Sequence, residues 1–299
     1  MYFSNVEPGL SFALRNGVKD DGFAAAVGRR DFVRSIAGAL VLAAFPSLHE
    51  DSLTLGILAN SPATGFDDGL RLGLSEGSRA AVLFGRKPIT IARAGDLSGL
   101  VDASASVVVG SPAYPDALRT ARECRSRHIV YLNCGARTDA FRDECNEYLF
   151  HVEGSDAMYA NAAKRAAGAT VKLWDSSLEK YGAAQLNDRF RSTFSRAMDS
   201  SAWCGWFAAK VVWESLLRMK GKGATGIRDH LLSDSTQFDG HKGVPLSFRS
   251  WDRQLRQPLY AVSHDRPPQD VPDLGRGEGS IRDLLDSIGG QPKACREAR

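Results

Sequence analysis

The 299-residue chain lacks most of the signatures that announce an enzyme. It has no G-x-x-x-x-G-K-[ST] phosphate loop, no G-x-G-x-x-G turn behind a strand, no H-E-x-x-H pair and no EF-hand loop. These absences remove the usual nucleotide, dinucleotide, metalloprotease and calcium readings. Its six histidines are isolated, and its five cysteines show neither C-x-x-C nor zinc-ligand spacing, so no cofactor and no metal is expected. Charge of one sign is scarce too. The 38 Lys and Arg against 35 Asp and Glu leave a net +3, scattered rather than gathered in a basic stripe, which argues against nucleic acid as a partner. The apolar run at 36–45 cannot span a bilayer, which takes about 20 residues.

What is present begins with that short run. It follows Gly28-Arg29-Arg30-Asp31-Phe32-Val33-Arg34. An arginine pair, an aromatic residue, a further cation and a short apolar core form an export address of the twin-arginine kind. Residues 1–50 are therefore expected to be a signal segment and the protein to work in the periplasm. The remainder, 43% hydrophobic over the whole chain, is long enough for a substantial core. Residues 51–265 read as one α/β domain and 266–299, rich in proline, glycine and charge, as a flexible tail with a helical patch at 281–288. Outside the cytoplasm disulfides can form. Cys124 and Cys204 fall in helical patterns and read as buried small hydrophobes. Cys145, in a loop, and Cys295, in the tail, are the candidate disulfide pair.

Short apolar runs at 53–59, 88–92, 106–109, 128–132 and 148–152 alternate with helical patterns at 66–83, 114–127 and 155–167. That alternation predicts an open, mostly parallel sheet with helices on both faces. The first helix carries Gly65, Gly69, Gly73 and Gly77. Each glycine costs about 1 kcal/mol against alanine in a helix, so a packing reason is expected, namely close approach to the sheet. Residues 178–220 read as helix with a heavy face of Trp203, Trp206, Phe207 and Val211, and 238–262 as turns and short strands.

Gly73-Leu74-Ser75-Glu76-Gly77 matches the G-x-S-x-G nucleophile pattern. That chemistry needs its serine on a sharp turn directly after a strand; Ser75 falls inside a helix, so a serine hydrolase is the least favoured reading. Asp139, Asp143 and Glu144, interleaved with Arg137 and Arg142, read as a solvated helix face. Three strands end in small polar loops at 60–64, 110–113 and 133–136. Ligands of open α/β sheets bind at the carboxyl ends of strands, so Ser61, Thr64, Ser111 and Asn133 are the candidate ligand-binding residues. None forms a strong acid, base or nucleophile pair, which favours binding over catalysis.

The opening at 53–64, the strand end at 107–111 and the run Tyr131-Leu-Asn-Cys-Gly-Ala-Arg-Thr-Asp-Ala-Phe-Arg-Asp-Glu-Cys145 resemble type I periplasmic binding proteins. The runs Trp174-Asp-Ser-Ser-Leu-Glu-Lys-Tyr-Gly-Ala-Ala-Gln-Leu-Asn-Asp-Arg-Phe190 and Phe238-Asp-Gly-His-Lys-Gly-Val-Pro-Leu-Ser-Phe-Arg-Ser-Trp-Asp-Arg-Gln-Leu-Arg-Gln-Pro258 resemble the branch of branched-chain-amino-acid-type ABC transporter receptors associated with pyrroloquinoline-quinone (PQQ)-dependent alcohol dehydrogenases. The resemblance implies a non-catalytic, exported substrate-binding or accessory component, with a small ligand and an ABC permease or a quinoprotein dehydrogenase as partners. Members of the family have two lobes. Here the helix at 155–167 runs almost straight into 171–174, so the chain is expected to keep the first lobe and lack most of the second. Asn133-Cys134-Gly135 departs from the family's hydroxyl-rich loop, so leucine-like ligands are not expected. A protein-interaction module without a small ligand, docking on a partner or forming a homo-oligomer, stays open as the alternative.

Overall fold

The computed structural model describes residues 53–59, 64–273 and 280–289; the twin-arginine segment lies outside them. The main body is built on a five-stranded parallel sheet in the order β2-β1-β3-β4-β5. Its strands are β1 (Thr54–Leu58), β2 (Thr90–Ala94), β3 (Val107–Gly110), β4 (Val130–Asn133) and β5 (Leu149–His151). β1, β3, β4 and β5 are buried along their whole length. That is why they read as continuous apolar runs, since a parallel sheet is covered on both faces. β2 lies at the edge, is largely exposed, and starts two residues later than its sequence pattern implied.

Alternate side chains feed two cores. Leu55, Ile57, Val107, Val109, Val130 and Leu132 face α1 (Thr64–Leu83) and α6 (Ser200–Arg218). Leu58, Val108, Tyr131 and Leu149 face α2 (Leu97–Asp102) and α3 (Asp116–Ser126). The sequence pattern missed α2, whose single cap, Asp96 accepting from Gly99 N–H at 3.0 Å, is the main local signal for so short a helix.

The glycine ridge of α1 is real, but its partner is a helix and not the sheet. A Cβ at Gly69 would stand 1.8 Å from the carbonyl oxygen of Ala202, one at Gly73 2.6 Å from that of Trp206, and one at Gly205 of α6 2.2 Å from that of Phe66. Glycines on both helices let the two backbones touch. In return Trp203 and Phe207 of α6 stack with ring centroids 4.8 Å apart, and Trp203 lies against Trp174 at 6.0 Å.

A smaller layer follows. α4 (Asp156–Arg165), capped by Ser155 accepting from Met158 N–H at 3.2 Å, packs on β6 (Thr170–Lys172) and β10 (Leu259–Val262). β6, β10 and β11 (Gln269–Val271) form a three-stranded antiparallel sheet, order β11-β10-β6. Between β6 and β10 the chain returns to the body as α5 (Ala183–Phe194), α6, α7 (Gly223–Leu232) and the short antiparallel strands β7 (Phe238–Asp239), β8 (Pro245–Phe248) and β9 (Leu255–Arg256).

The segment read as a tail from Arg266 is different in its described parts. β11 completes the small sheet, and α8 (Ile281–Asp286) docks with Leu285 and Ile288 buried. The Asp286 carboxylate accepts from Arg249 Nε at 2.9 Å and Arg256 Nε at 2.8 Å, both guanidiniums being almost fully buried. Two buried cations left without that carboxylate would be costly, and a composition-based reading has no access to this pairing. Cys124 and Cys204 are buried free thiols, as is Cys134. Cys145 is disulfide-bonded; Cys295 lies outside the described residues.

Candidate functional site

The carboxyl edge of the parallel sheet is where the expected ligand residues were placed. Ser61 lies outside the described residues, and Thr64 opens α1. Ser111 and Asn133 come from neighbouring strand ends, since Gly110 and Asn133 are paired in register.

The two side chains behave differently. Ser111 is half-buried, and its Oγ donates to the Cys134 carbonyl at 3.2 Å. The turn lies so close that a Cβ at Gly135 would meet Ser111 Oγ at 2.5 Å. Asn133 is fully buried. Its Nδ2 donates to the Ala136 carbonyl at 2.8 Å and to His151 Nδ1 at 3.1 Å, while Oδ1 accepts from Ala136 N–H at 3.0 Å and Gly135 N–H at 3.3 Å. Two donors and two lone pairs are the whole capacity of an amide. Asn133 is therefore spent on shaping its own loop and does not face the rim. Its bond requires His151 to accept through Nδ1, so the imidazole is neutral. Burial, with Arg142 and Arg253 nearby, holds the His151 pKa well below the usual value.

Behind the edge lies a polar lattice that the sequence reading missed. Arg142, expected on a solvated face, is buried. Its guanidinium donates to the carbonyls of Ala136 at 2.8 Å and Glu153 at 2.8 Å and to Gln254 Oε1 at 3.0 Å. Gln254 Nε2 in turn donates to the carbonyls of Glu153 at 3.0 Å and His151 at 3.2 Å. The Glu153 carboxyl is buried and takes Gly154 N–H and the Tyr159 hydroxyl, each at 2.8 Å; burial raises its pKa. Arg137 sits outside this lattice. It is exposed, stacks over the Tyr159 ring 3.5 Å from its centroid and pairs with Asp156 at 3.2 Å. The Ser111 hydroxyl and the Arg137 guanidinium are thus hydrogen-bonding groups in the loops after two neighbouring strands. Ser75 lies exposed in mid-α1, away from any strand-to-helix turn, so the geometry a nucleophile elbow needs is not there.

Solved structures with this architecture are numerous. One is the leucine-, isoleucine-, valine-, threonine- and alanine-binding protein of Brucella ovis in its closed conformation, with TM-score 0.61 and 11% identity over 77% of this chain and 93% of that one. The fold is that of a type I periplasmic binding protein. A branched-chain amino acid transporter substrate-binding protein of Streptococcus pneumoniae, in complex with isoleucine, matches with TM-score 0.58 and 11% identity over 73% of this chain and 99% of that one. An ABC-transporter solute-binding protein of Rhodopseudomonas palustris, in complex with 3,4-dihydroxybenzoic acid, matches with TM-score 0.57 and 10% identity over 72% and 94%. At such identities the likeness concerns fold. No family model matches the chain, and no curated protein does. Among the described residues no helix is long and apolar enough to cross a membrane.

Proposed function

We propose that the chain is an exported, non-catalytic solute receptor or accessory component of an ABC uptake or quinoprotein alcohol dehydrogenase system. What supports this reading is the periplasmic-binding-protein fold, with Ser111 just after one strand of its parallel sheet and the exposed Arg137 in the loop after the neighbouring strand. Ser61, Thr64 and Ser111 supply ligand hydrogen bonds, and Asn133 supports them from behind. The second lobe is reduced to α4 and the β6-β10-β11 sheet, which leaves the edge wider than in a two-lobed clamp. This favours a weakly held or partner-presented ligand, because tight small-molecule sites enclose most of the ligand surface.

The test is isothermal calorimetry of the exported chain against amino acids, carboxylic acids, alcohols, PQQ and divalent metals, repeated with Ser111→Ala and Arg137→Ala. Binding of one class that both substitutions weaken supports the proposal. Silence across all classes removes the receptor reading. The alternative of an interaction module draws on Val82, Leu83 and Phe84, which are 69%, 85% and 70% exposed at the end of α1. α1 runs back from β1, so this patch lies at the amino edge of the sheet, opposite the rim. A sedimentation velocity change on Leu83→Glu would favour that alternative.

A further inference from the structure

The small antiparallel sheet has two faces. Leu259, Ala261 and Val271 pack into the main core. Tyr260 and Asp270, opposite each other in register, and Lys172 of β6, opposite Tyr260, alternate onto the other face. Between that face and the segment 177–183 ahead of α5 lies a cavity of about 470 Å³, inside the range of roughly 300–1,000 Å³ usual for small-molecule sites. It shares no lining residue with the carboxyl edge of the parallel sheet.

The wall facing the sheet is fixed in advance. Asp175 accepts from Lys172 Nζ at 2.7 Å and from Ser177 N–H at 2.9 Å. Asn187 Nδ2 donates to the carbonyls of Ser176 at 3.2 Å and Leu178 at 3.1 Å. Tyr181 is held at a φ of +58°, a left-handed value that few non-glycine residues adopt. Its carbonyl accepts from His241 Nδ1 at 3.2 Å, and its ring lies so close to Gly243 that a Cβ there would stand 2.5 Å away. Backbone held in this way by its surroundings gathers at ligand clamps.

On the sheet side two polar groups lack partners. Tyr260 is 3% exposed, yet its hydroxyl makes no hydrogen bond among the described residues. The charges acting on it are those of Asp270 and Tyr181, which both line the cavity. Asp270 is half-buried and has neither a side-chain hydrogen bond nor an ion pair among the described residues. Burial raises its pKa against the pull of Lys180 and Lys242. Leaving such groups unbonded is costly, and they mark where a ligand's polar atoms belong.

We propose that this cavity is a second small-molecule site, and that it takes a neutral polyhydroxy compound of monosaccharide size, held by Tyr260, Asp270 and Lys180 against the Tyr181 ring. The ionised side chains on its wall are Glu179 and Asp270 against Lys180 and Arg266, so an anion or a cation meets repulsion as well as a partner. A ligand hydroxyl donates to Asp270 and accepts from Lys180 and Tyr260 without adding charge. A zwitterion would exchange the hydration of two full charges for a half-buried carboxylate and an exposed ammonium. The Tyr181 ring, 61% exposed, offers an apolar face to the C–H side of a polyol ring. One side of the ligand stays wet, so binding falls in the millimolar range. The site stands whether or not the carboxyl edge of the parallel sheet binds a solute.

The experiment is isothermal calorimetry and amide shift mapping by NMR on the full chain with myo-inositol and glucose. Acetate, ethylammonium and glycine betaine serve as the charged comparisons. Saturable binding of a polyol is expected, with shifts confined to 177–183, 241–243 and 260–270. Tyr260→Phe and Asp270→Asn should each weaken it about tenfold, and Ser111→Ala should leave it unchanged. Tyr260→Phe removes one oxygen and keeps the ring, so the test stands even if Asp270→Asn does not fold. Absence of polyol binding, tighter binding of a charged probe, shifts centred on 111 and 133–137, or an affinity that survives Tyr260→Phe would overturn the proposal.

Discussion

The parallel body and the small antiparallel layer obey opposite economies. In the body, β1, β3 and β4 are wholly buried and two helices touch backbone to backbone through glycines. In the small layer the central strand β10 is buried, whereas β6 has no buried residue and β11 only one, and the apolar packing of Leu259, Ala261 and Val271 on the main core is joined by polar ties from Lys242 and Gln257. The parallel sheet is covered on both faces, and the outer strands of the small sheet are the more exposed elements, where local opening is expected to cost least.

The contrast breaks most sharply at glycines. Gly69→Ala drives a methyl into the Ala202 carbonyl and should cost about 3 kcal/mol in urea denaturation, the upper range for overpacking. Gly168, in the turn before β6, has nothing within 4 Å of a new Cβ but a φ of +83°. Gly168→Ala should therefore cost only the left-handed strain, about 1 kcal/mol. If the two cost the same, the difference between the layers is not one of packing.

Asn133→Ala comes between them. It orphans the buried groups at Gly135, Ala136 and His151, and should lose about 2 kcal/mol of stability. Ligand affinity should change less than with Ser111→Ala. The reverse pattern would return Asn133 to the rim.

The pH response can also be assigned by region. His151 in the body has a pKa held well below the 6.5 of the unfolded chain. The unfolded state then binds the extra proton first, and stability falls as pH drops below 6.5, by up to about tenfold in the folding equilibrium per unit. Glu153, whose pKa is raised by burial, contributes with the opposite sign, so Glu153→Gln is the background for the measurement. Replacing His151 with Leu there should flatten the acid limb seen by circular dichroism. A limb that persists would place the proton elsewhere.

Much of the architecture was legible. Val107-Val108-Val109 and Val130-Tyr131-Leu132 read as buried parallel strands because they are buried on both faces. The helical pattern at 155–167 matched α4, which Ser155 caps through a local hydrogen bond. Of the expected ligand residues, Ser111 is half-buried and bonded to the Cys134 carbonyl, whereas Asn133 is turned inward because His151, 18 residues away, accepts one of its protons. Arg142 read as a solvated cation because charge is mostly exposed, and nothing in the sequence marked Lys242 as buried. What keeps them inside is Gln254 and Gln257, more than 100 positions from Arg142 in one case and 15 from Lys242 in the other.

The sequence by itself determined the alternation of strand and helix, the sheet's carboxyl edge as the place to look, and a glycine ridge that had to meet something. These are properties of neighbours along the chain, where spacing and side-chain shape act directly. Only the tertiary structure decided that the ridge meets α6, that Asp286 anchors α8 between two buried arginines, and that Lys242 is buried on the Leu173 and Pro258 carbonyls and the Gln257 amide. Each of those depends on groups far apart in sequence becoming the only available partners once water is excluded. Desolvation, unlike periodicity, leaves no trace in the order of the residues.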